Sequence, residues 1–226
     1  MNIRYKRIKD ILSHSGVKGK KWGVLNGPPY PLNSAVWARK ISSDAKKHEA
    51  SITRDVSDAA KATRGKLHGM EHKLKTYASI KRKIETDAEE KRTTISKAAR
   101  DLKDANRYTL LSDNDSFVSD YETFKQNLID KGYKEVRCRN YFEDYRLGKV
   151  KHKAVQSVFE TPDGYRFEMQ FHTPASQRAK DKKVPIYEER RKPGLSYERQ
   201  LELERQMDLL AANVPVPNGV ERIKSH

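Results

Sequence analysis

Apolar and polar residues alternate without interruption in one eight-residue stretch near the middle of the C-terminal half. Successive side chains of a strand point to opposite faces, so this alternation predicts a strand over 165–172 with one buried and one polar face. The apolar set is Tyr165, Phe167, Met169 and Phe171, and the polar set is Arg166, Glu168, Gln170 and His172. Plain exposure to solvent accounts for such a polar face in most strands.

Helical spacing of apolar residues predicts several helices along the chain. A thin apolar stripe indicates a long helix over 34–67, ended by His68-Gly69, and a second helical region covers 76–105. Ser116 is expected to cap a helix with one apolar face made of Phe117, Tyr121, Phe124 and Leu128. Pro174 opens a further helix, which is expected to be interrupted near Pro185, and a last helix covers 195–212.

Short β-prone runs predict strands at 107–111, 133–138 and 154–160. The turn sequence Thr161-Pro162-Asp163-Gly164 then predicts a hairpin between the last of these and the strand 165–172. The order of elements indicates an α+β fold with a mixed sheet of about four to five strands flanked by helices. We expect a basic flexible arm (1–33), a helical connector (34–68) and one folded domain (69–226).

The charge is unevenly distributed. The net charge is +16, and the first 100 residues hold 24 of the 47 basic residues but only 10 of the 31 acidic ones. This basic half indicates a polyanionic partner such as nucleic acid or nucleotide phosphates. The single cysteine, Cys138, excludes an internal disulfide framework. No apolar run reaches the roughly 20 residues of a membrane span, so we expect no membrane partner and a cytoplasmic location.

Three groups of polar residues are candidates for chemistry. Lys73 and Lys75 precede a predicted helix, and Arg82 returns to nearly the same face two turns after Lys75, so these cations could converge on a triphosphate. Asp104 comes just before a predicted strand, where its carboxylate could hold Mg²⁺. Taken one at a time, a basic helix surface, a turn aspartate and a solvated Glu168 are the commoner explanations.

Taken together, these residues resemble the synthetase domain of the RelA/SpoT family of alarmone synthetases. Lys73-Leu74-Lys75 through Ser79-Ile80-Lys81-Arg82-Lys83 is similar to the family's R-x-K-x-x-x-S-I-x-R-K block. Lys103-Asp104-Ala105-Asn106-Arg107-Tyr108-Thr109 is similar to its D-x-x-G-x-R strand, and Phe167-Glu168-Met169-Gln170-Phe171-His172-Thr173 to its E-x-Q-x-R-T strand. The blocks occur in the family's order and cover about residues 70–226.

The resemblance implies a pyrophosphokinase that moves a diphosphate from ATP to a 3′-hydroxyl. Asp104 and Glu168 would bind Mg²⁺ and carry out the transfer, and the ATP donor would be held by Lys73, Lys75, Ser79 and Arg82. The acceptor would be bound by His152, Gln156, Gln170 and His172. It would be a guanine nucleotide (GDP or GTP), an adenine nucleotide or tRNA.

The chain departs from the family pattern mainly in the acceptor region. His152 replaces a base-stacking tyrosine, and Gln156 replaces a histidine. Arg107 stands at the family's glycine, whereas Thr109 and His172 stand where the family has arginine. Lys73 also replaces an arginine. Transfer chemistry is therefore better supported than a guanosine acceptor.

The N-terminal stretch His14-Ser15-Gly16-Val17-Lys18-Gly19-Lys20-Lys21-Trp22-Gly23 resembles a short element of phage head-associated proteins. A synthetase without a hydrolase would inhibit growth. We therefore expect a toxin or effector carried by a phage or prophage, acting in the host bacterial cytoplasm, with a phage head component as a further partner. Two alternatives remain, a non-catalytic nucleic-acid-binding or virion-associated protein that keeps the fold, and a structural protein that assembles through helix 34–67.

Overall fold

The computed structural model describes residues 33–148, 152–190 and 194–226, so the N-terminal arm and its phage-like element lie outside the described residues. The chain divides into two units. One contains the described residues up to Ile41 together with Tyr77–Leu102, and the other contains Ser42–Thr76 and Lys103–His226. The three-part division made from the sequence stays a prediction.

The helices and strands are numbered in chain order. The helices are α1 (Ser34–Lys61), α2 (Tyr77–Glu90), α3 (Ile95–Asp101), α4 (Phe117–Asp130), α5 (Tyr141–Arg146), α6 (Pro174–Arg190) and α7 (Tyr197–Ala212). The strands are β1 (Lys66–His68), β2 (Arg107–Leu111), β3 (Lys134–Asn140), β4 (Val155–Glu160) and β5 (Arg166–His172). Within the described residues, no helix is both long and apolar enough to span a bilayer.

The five strands form one mixed sheet in the order β1-β2-β5-β4-β3. Strands β2 and β5 are parallel, and the other neighbouring pairs are antiparallel. The predicted α+β class, with a mixed sheet flanked by helices, is therefore confirmed. The predicted hairpin is also present, because β4 and β5 pair across the turn at 161–164.

One face of the sheet carries the core of the larger unit. The apolar set of β5 lies on this face, and Phe167, Met169 and Phe171 are at most 2% exposed. The predicted apolar face of α4 packs here as well, with Phe124 and Tyr121 in edge contact with Phe171. Alternation in β5 and helical spacing in α4 thus predicted the same core from its two sides.

Three predicted boundaries were wrong. Helix α1 ends at Lys61, and residues 66–68 form strand β1, where a helix end had been expected. The helical region 76–105 is two helices, α2 and α3, and Thr94 caps the second by accepting a hydrogen bond from Lys97 N. The proline expected to interrupt the helix after Pro174 does not do so, because α6 continues through Pro185 to Arg190.

The smaller unit is held by polar contacts between the start of α1 and the two helices that follow β1. The hydroxyl of Ser34 donates to Glu85 Oε1 at 2.6 Å, and the indole of Trp37 donates to Ser96 Oγ at 3.3 Å. Ile80, Ile84 and Ala88 are the buried residues of α2, and their spacing of four residues places them on one side of the helix.

A buried carboxylate ties α4 to the outer strands of the larger unit. Glu135, whose side chain is 2% exposed, accepts hydrogen bonds from Tyr121 and Ser157 and lies 2.5 Å from Lys125 Nζ. The C-terminal segment lies beside the same strand. Cys138 and His226 exchange two backbone hydrogen bonds of 3.0 and 3.1 Å, so the C-terminal residue is fixed to β3.

Candidate active site

The second face of β5 is polar and buried. Glu168, Gln170 and His172 are 9%, 3% and 3% exposed. Helix α6 and the segment before α2 contribute side chains to this face, so it is not the solvated surface that alternation alone would indicate. Three polar side chains that are removed from water at the centre of a sheet mark this face as a candidate site, because buried polar groups need partners.

Asn106 connects the two chain segments that carry the predicted carboxylates Asp104 and Glu168. It is fully buried, and its backbone carbonyl accepts a hydrogen bond of 3.0 Å from Glu168 N. Its side-chain oxygen accepts a 2.6 Å hydrogen bond from the hydroxyl of Tyr165. Asp104 lies two residues before it on the same segment. The start of β2 is thereby fixed to β5, which brings Asp104 towards Glu168.

The segment that carries the predicted donor lysines is fixed to this same point. Lys75 N donates to Ala105 O at 2.9 Å, and Arg107 N donates to Lys73 O at 2.8 Å. The ammonium of Lys75 then lies 3.3 Å from Asp104 Oδ2, and both side chains are mostly buried. The structure therefore joins the first predicted donor block to the predicted Asp block.

The electrostatics of Glu168 depend on this arrangement. Burial raises the pKa of Glu168, and the negative charge of Asp104 raises it further. A hydrogen bond from Gln170 and the positive charges of Arg107 and Lys75 act in the opposite direction on this pKa. A raised pKa makes the ionised carboxylate a stronger base than an ordinary glutamate, which suits a group that must accept a proton.

Lys180 on α6 reaches the site through Gln170. Its ammonium donates to Gln170 Oε1 at 2.6 Å, and Gln170 Nε2 donates onward to Glu168 Oε1 at 2.5 Å. Burial, together with the positive charges of Arg107 and Lys75, lowers the pKa of Lys180 to about 8, while Asp181 and Glu168 oppose this change. A cation, an amide and a carboxylate therefore follow one another across the polar face.

His172 is a neutral member of the site. Burial and the neighbouring charge of Lys180 lower the pKa of His172 well below its ordinary value. Its Nδ1 lies 2.9 Å from Ser176 Oγ, which itself donates to Thr173 O. Nδ1 is therefore assigned as the donor, which leaves Nε2 as an acceptor, and this buried atom has no hydrogen-bond partner among the described residues.

The other predicted acceptor residues lie near this group or at its edge. Gln156 on β4 is the register partner of Gln170, so its side chain shares the polar face of the sheet. His152 is exposed and packs on Tyr141, with ring centroids 4.1 Å apart.

The predicted donor residues fall in both units. The ammonium of Lys73 lies 3.2 Å from Glu49 of α1 in the larger unit. Ser79 and Arg82 belong to α2 of the smaller unit. The roles assigned to all three in holding ATP stay predictions.

Three residues of this site had no assigned role in the sequence. Lys180 gave no signal, because one lysine in the basic sequence of α6 looks like a solvated residue. Asn106 and Arg107 stood inside the Asp block, and Arg107 was noted there only as a departure from the family pattern. The two-residue period of β2 would have placed Arg107 and Thr109 on one face, with Arg107 opposite Glu168.

The donor atoms present are compatible with Mg²⁺. Asp104 and Glu168 supply carboxylate oxygens, the ligand type that this ion prefers, and Mg²⁺ is commonly held by one or two carboxylates together with substrate phosphates and water. A divalent cation would also offset the repulsion by which the charge of Asp104 raises the pKa of Glu168. Among the described residues there is no cluster of three or more His, Cys, Asp or Glu side chains arranged to hold a metal.

No protein-family model matches the chain, and no curated protein matches it. Several solved structures are similar to it. The complex of the type VI effector Tas1 with its immunity protein gives a TM-score of 0.47 at 16% identity, covering 79% of this chain and 95% of that one. The small alarmone synthetase 1 from Bacillus subtilis, bound to its product pppGpp, gives 0.44 at 16% identity, covering 78% and 88%.

A GTP pyrophosphokinase family protein from Streptococcus pneumoniae gives a TM-score of 0.44 at 13% identity, covering 93% of this chain and 89% of that one. At TM-scores below 0.5, these likenesses do not establish what this chain binds or transfers.

Proposed function

We propose that the chain is an ATP-dependent pyrophosphokinase that transfers a diphosphate to the 3′-hydroxyl of a nucleotide or of tRNA. The observation that carries the proposal is the buried pair Glu168 and Asp104 on a sheet face that also holds Lys75, Arg107 and Lys180. Carboxylates beside cations suit a reaction in which a hydroxyl must lose a proton while phosphate oxygens are neutralised.

In this reaction the 3′-oxygen of the acceptor attacks the β-phosphorus of ATP and forms a new bond to it. The bond from that phosphorus to the oxygen bridging it to the α-phosphate breaks, and AMP leaves with that oxygen. Glu168 takes the proton of the attacking hydroxyl, for which its raised pKa is suited. Lys75 orients Asp104 and, with Arg107, offers positive charge to phosphate oxygens.

Mg²⁺ held by Asp104 and Glu168 would neutralise the oxygens of the transferred group. Gln170 holds Glu168 in place through its 2.5 Å hydrogen bond. His172 Nε2 is positioned to accept a hydrogen bond from the acceptor, because it is the unpartnered acceptor on the same strand face.

The test is a transfer assay. The intact chain is incubated with Mg²⁺ and ATP that carries radioactive phosphorus in its γ position, together with GDP, GTP, unlabelled ATP or bulk tRNA. We expect label to appear in one acceptor class. Glu168→Gln, which keeps the size of the side chain but loses the carboxylate, should abolish this transfer. If the wild type labels no acceptor and binds nucleic acid, the alternative of a non-catalytic binding protein is supported instead.

We further propose that this activity makes the chain a growth-inhibiting effector of phage or prophage origin. The support is the phage-like element in the N-terminal sequence beside a synthetase-like domain. Expression of the intact chain in bacteria should arrest growth and change nucleotide pools, whereas Glu168→Ala should not. Equal growth with both chains would contradict the effector role.

A further inference from the structure

The polar face of the sheet contains more positive charge than its own acidic groups neutralise. Lys75 is paired with Asp104, and Glu168 faces Arg107 across the β2–β5 register. Lys180 adds a third cation, whose side chain donates to a neutral amide. The nearest acidic residue on its own helix, Asp181, accepts a hydrogen bond from Gln177 at 2.8 Å.

This arrangement is unfavourable for the ammonium of Lys180 when the site holds no anion. Burial and two neighbouring cations lower the pKa of Lys180 to about 8, so its positive charge is destabilised where it stands. The neutral oxygen of Gln170 gives it one hydrogen bond but no opposite charge. A ligand with negative charge would supply what is missing, since charge-assisted hydrogen bonds are stronger than neutral ones.

Arg107 and Lys180 supply positive charge to a face on which the neighbouring side chains of β2 and β5 have none. In the structure His172 is neutral, and Thr109 carries no charge. Arg107 lies two residues before Thr109 on the same face of β2, and Lys180 reaches this face from α6. The positive charge of this face therefore comes from Arg107 and Lys180, which lie far apart in the sequence.

We propose that Lys180 and Arg107 form an anion subsite that holds a phosphate group of the substrate beside Glu168. The ligand class is the polyphosphate of a nucleotide. The proposal deepens the proposed function and rests on it for the identity of the substrate. The phosphate belongs either to the ATP donor or to the acceptor nucleotide, and both present the same chemistry to the subsite.

Binding without turnover tests the subsite directly. Calorimetric titrations of the intact chain use three probes: inorganic tripolyphosphate, a non-hydrolysable ATP analogue and GDP. Loss of a charge-assisted hydrogen bond costs about 1.5–3 kcal/mol, so Lys180→Met should weaken binding of at least one probe about 10- to 100-fold. Lys180→Arg keeps the charge and should recover most of the affinity.

Lys182→Met is the matched control, because Lys182 is an exposed lysine two residues along the same helix. It should bind every probe as the wild type does. Weakening of the ATP analogue alone assigns the subsite to the donor, and weakening of GDP alone assigns it to the acceptor. The subsite is refuted if Lys180→Met binds all probes as well as Lys182→Met does, or if the folded wild type binds none of them.

The transfer assay separates failure of the subsite from failure of the proposed function. If Lys180→Met weakens binding but the wild type transfers no diphosphate, the subsite is supported and the pyrophosphokinase function is refuted. If Lys180→Met transfers diphosphate with the same kcat and the same KM for both substrates as the wild type, the enzyme function is supported and the subsite is refuted. Melting curves of the three variants confirm that each is folded before either comparison is made.

Discussion

The hydroxyl of Tyr165 is the most informative single group to remove. It donates a 2.6 Å hydrogen bond to the side-chain oxygen of Asn106, which is fully buried. The backbone carbonyl of Asn106 in turn accepts from Glu168 N at 3.0 Å. Tyr165→Phe deletes only this hydroxyl. The ring remains and keeps its stacked contact with His48 at a centroid distance of 4.2 Å.

The expected cost follows from the buried acceptor that is left behind. An unsatisfied buried acceptor destabilises a fold by about 1–3 kcal/mol. Tyr165→Phe should therefore lower the free energy of unfolding by that amount in urea titrations. Asn106 also gains freedom to move, so Asp104 and Glu168 are held less firmly. We expect kcat for transfer to fall about tenfold while KM for ATP changes little, because small misplacements of reacting groups mainly reduce the rate of the chemical step.

Tyr133→Phe provides the matched control. The hydroxyl of Tyr133 donates to Asp55 at 2.9 Å, and its ring packs on Phe167 on the core face of the same sheet. This variant should lose stability but keep its kcat within about twofold. The positioning role of Tyr165 is refuted if both variants lower kcat equally, or if Tyr165→Phe loses less than about 0.5 kcal/mol of stability.

Three further predictions concern charge and packing. The raised pKa of Glu168 means that the folded chain holds its proton more tightly than the unfolded chain does. Wild-type stability should therefore decline as pH rises above the ordinary value of 4.5, and urea titrations of Glu168→Gln across this range should show less of the decline. Glu135→Ala leaves the hydroxyls of Tyr121 and Ser157 and the partly exposed Lys125 without their carboxylate, so urea titration should show a loss of about 1–3 kcal/mol in the free energy of unfolding with kcat unchanged. A chain shortened to Ala212 loses the backbone pairs with Cys138 and the buried Val220, and its circular-dichroism melt should no longer be cooperative.

Local sequence patterns predicted those elements whose residues strongly favour one type of secondary structure. The alternation of β5, the spacing in α4 and the turn between β4 and β5 predicted elements that the structure contains. Strand β1 was missed because three residues carry no periodic signal. It exists through its pairing with the edge of β2, where Lys66 is the register partner of Leu111. Such pairing depends on tertiary context and not on local propensity.

The break expected at Pro185 was wrong for a related reason. Proline removes one helical hydrogen bond and clashes with the preceding turn, which favours a helix end there. In the structure α6 continues past this residue, and helix α7 packs against it. Packing along both helices compensates for the local cost, and sequence propensity does not include that contribution.

The candidate site likewise contains some residues that the sequence predicted and others that only the tertiary structure brings together. The resemblance of the sequence blocks singled out Lys75, Asp104 and Glu168. The structure places Lys75 beside Asp104 and gives Glu168 a pKa raised by Asp104. Lys180 lies more than 70 residues after Asp104, and no period connects the two. Only the return of α6 over β5 brings its ammonium to Gln170.

The two faces of β5 differ in a way that stability alone does not explain. Phe167, Met169 and Phe171 give one face a packed apolar core, while the opposite face buries Glu168 among charged groups. Burying charges is costly even when they are paired, and apolar residues of similar size are often as stable or more so. A substrate polyphosphate with its metal ion would neutralise both kinds of charge at once, because its oxygens meet the cations and its metal meets the carboxylates. On the function proposed above, the burial cost on this face is preorganisation for such a ligand.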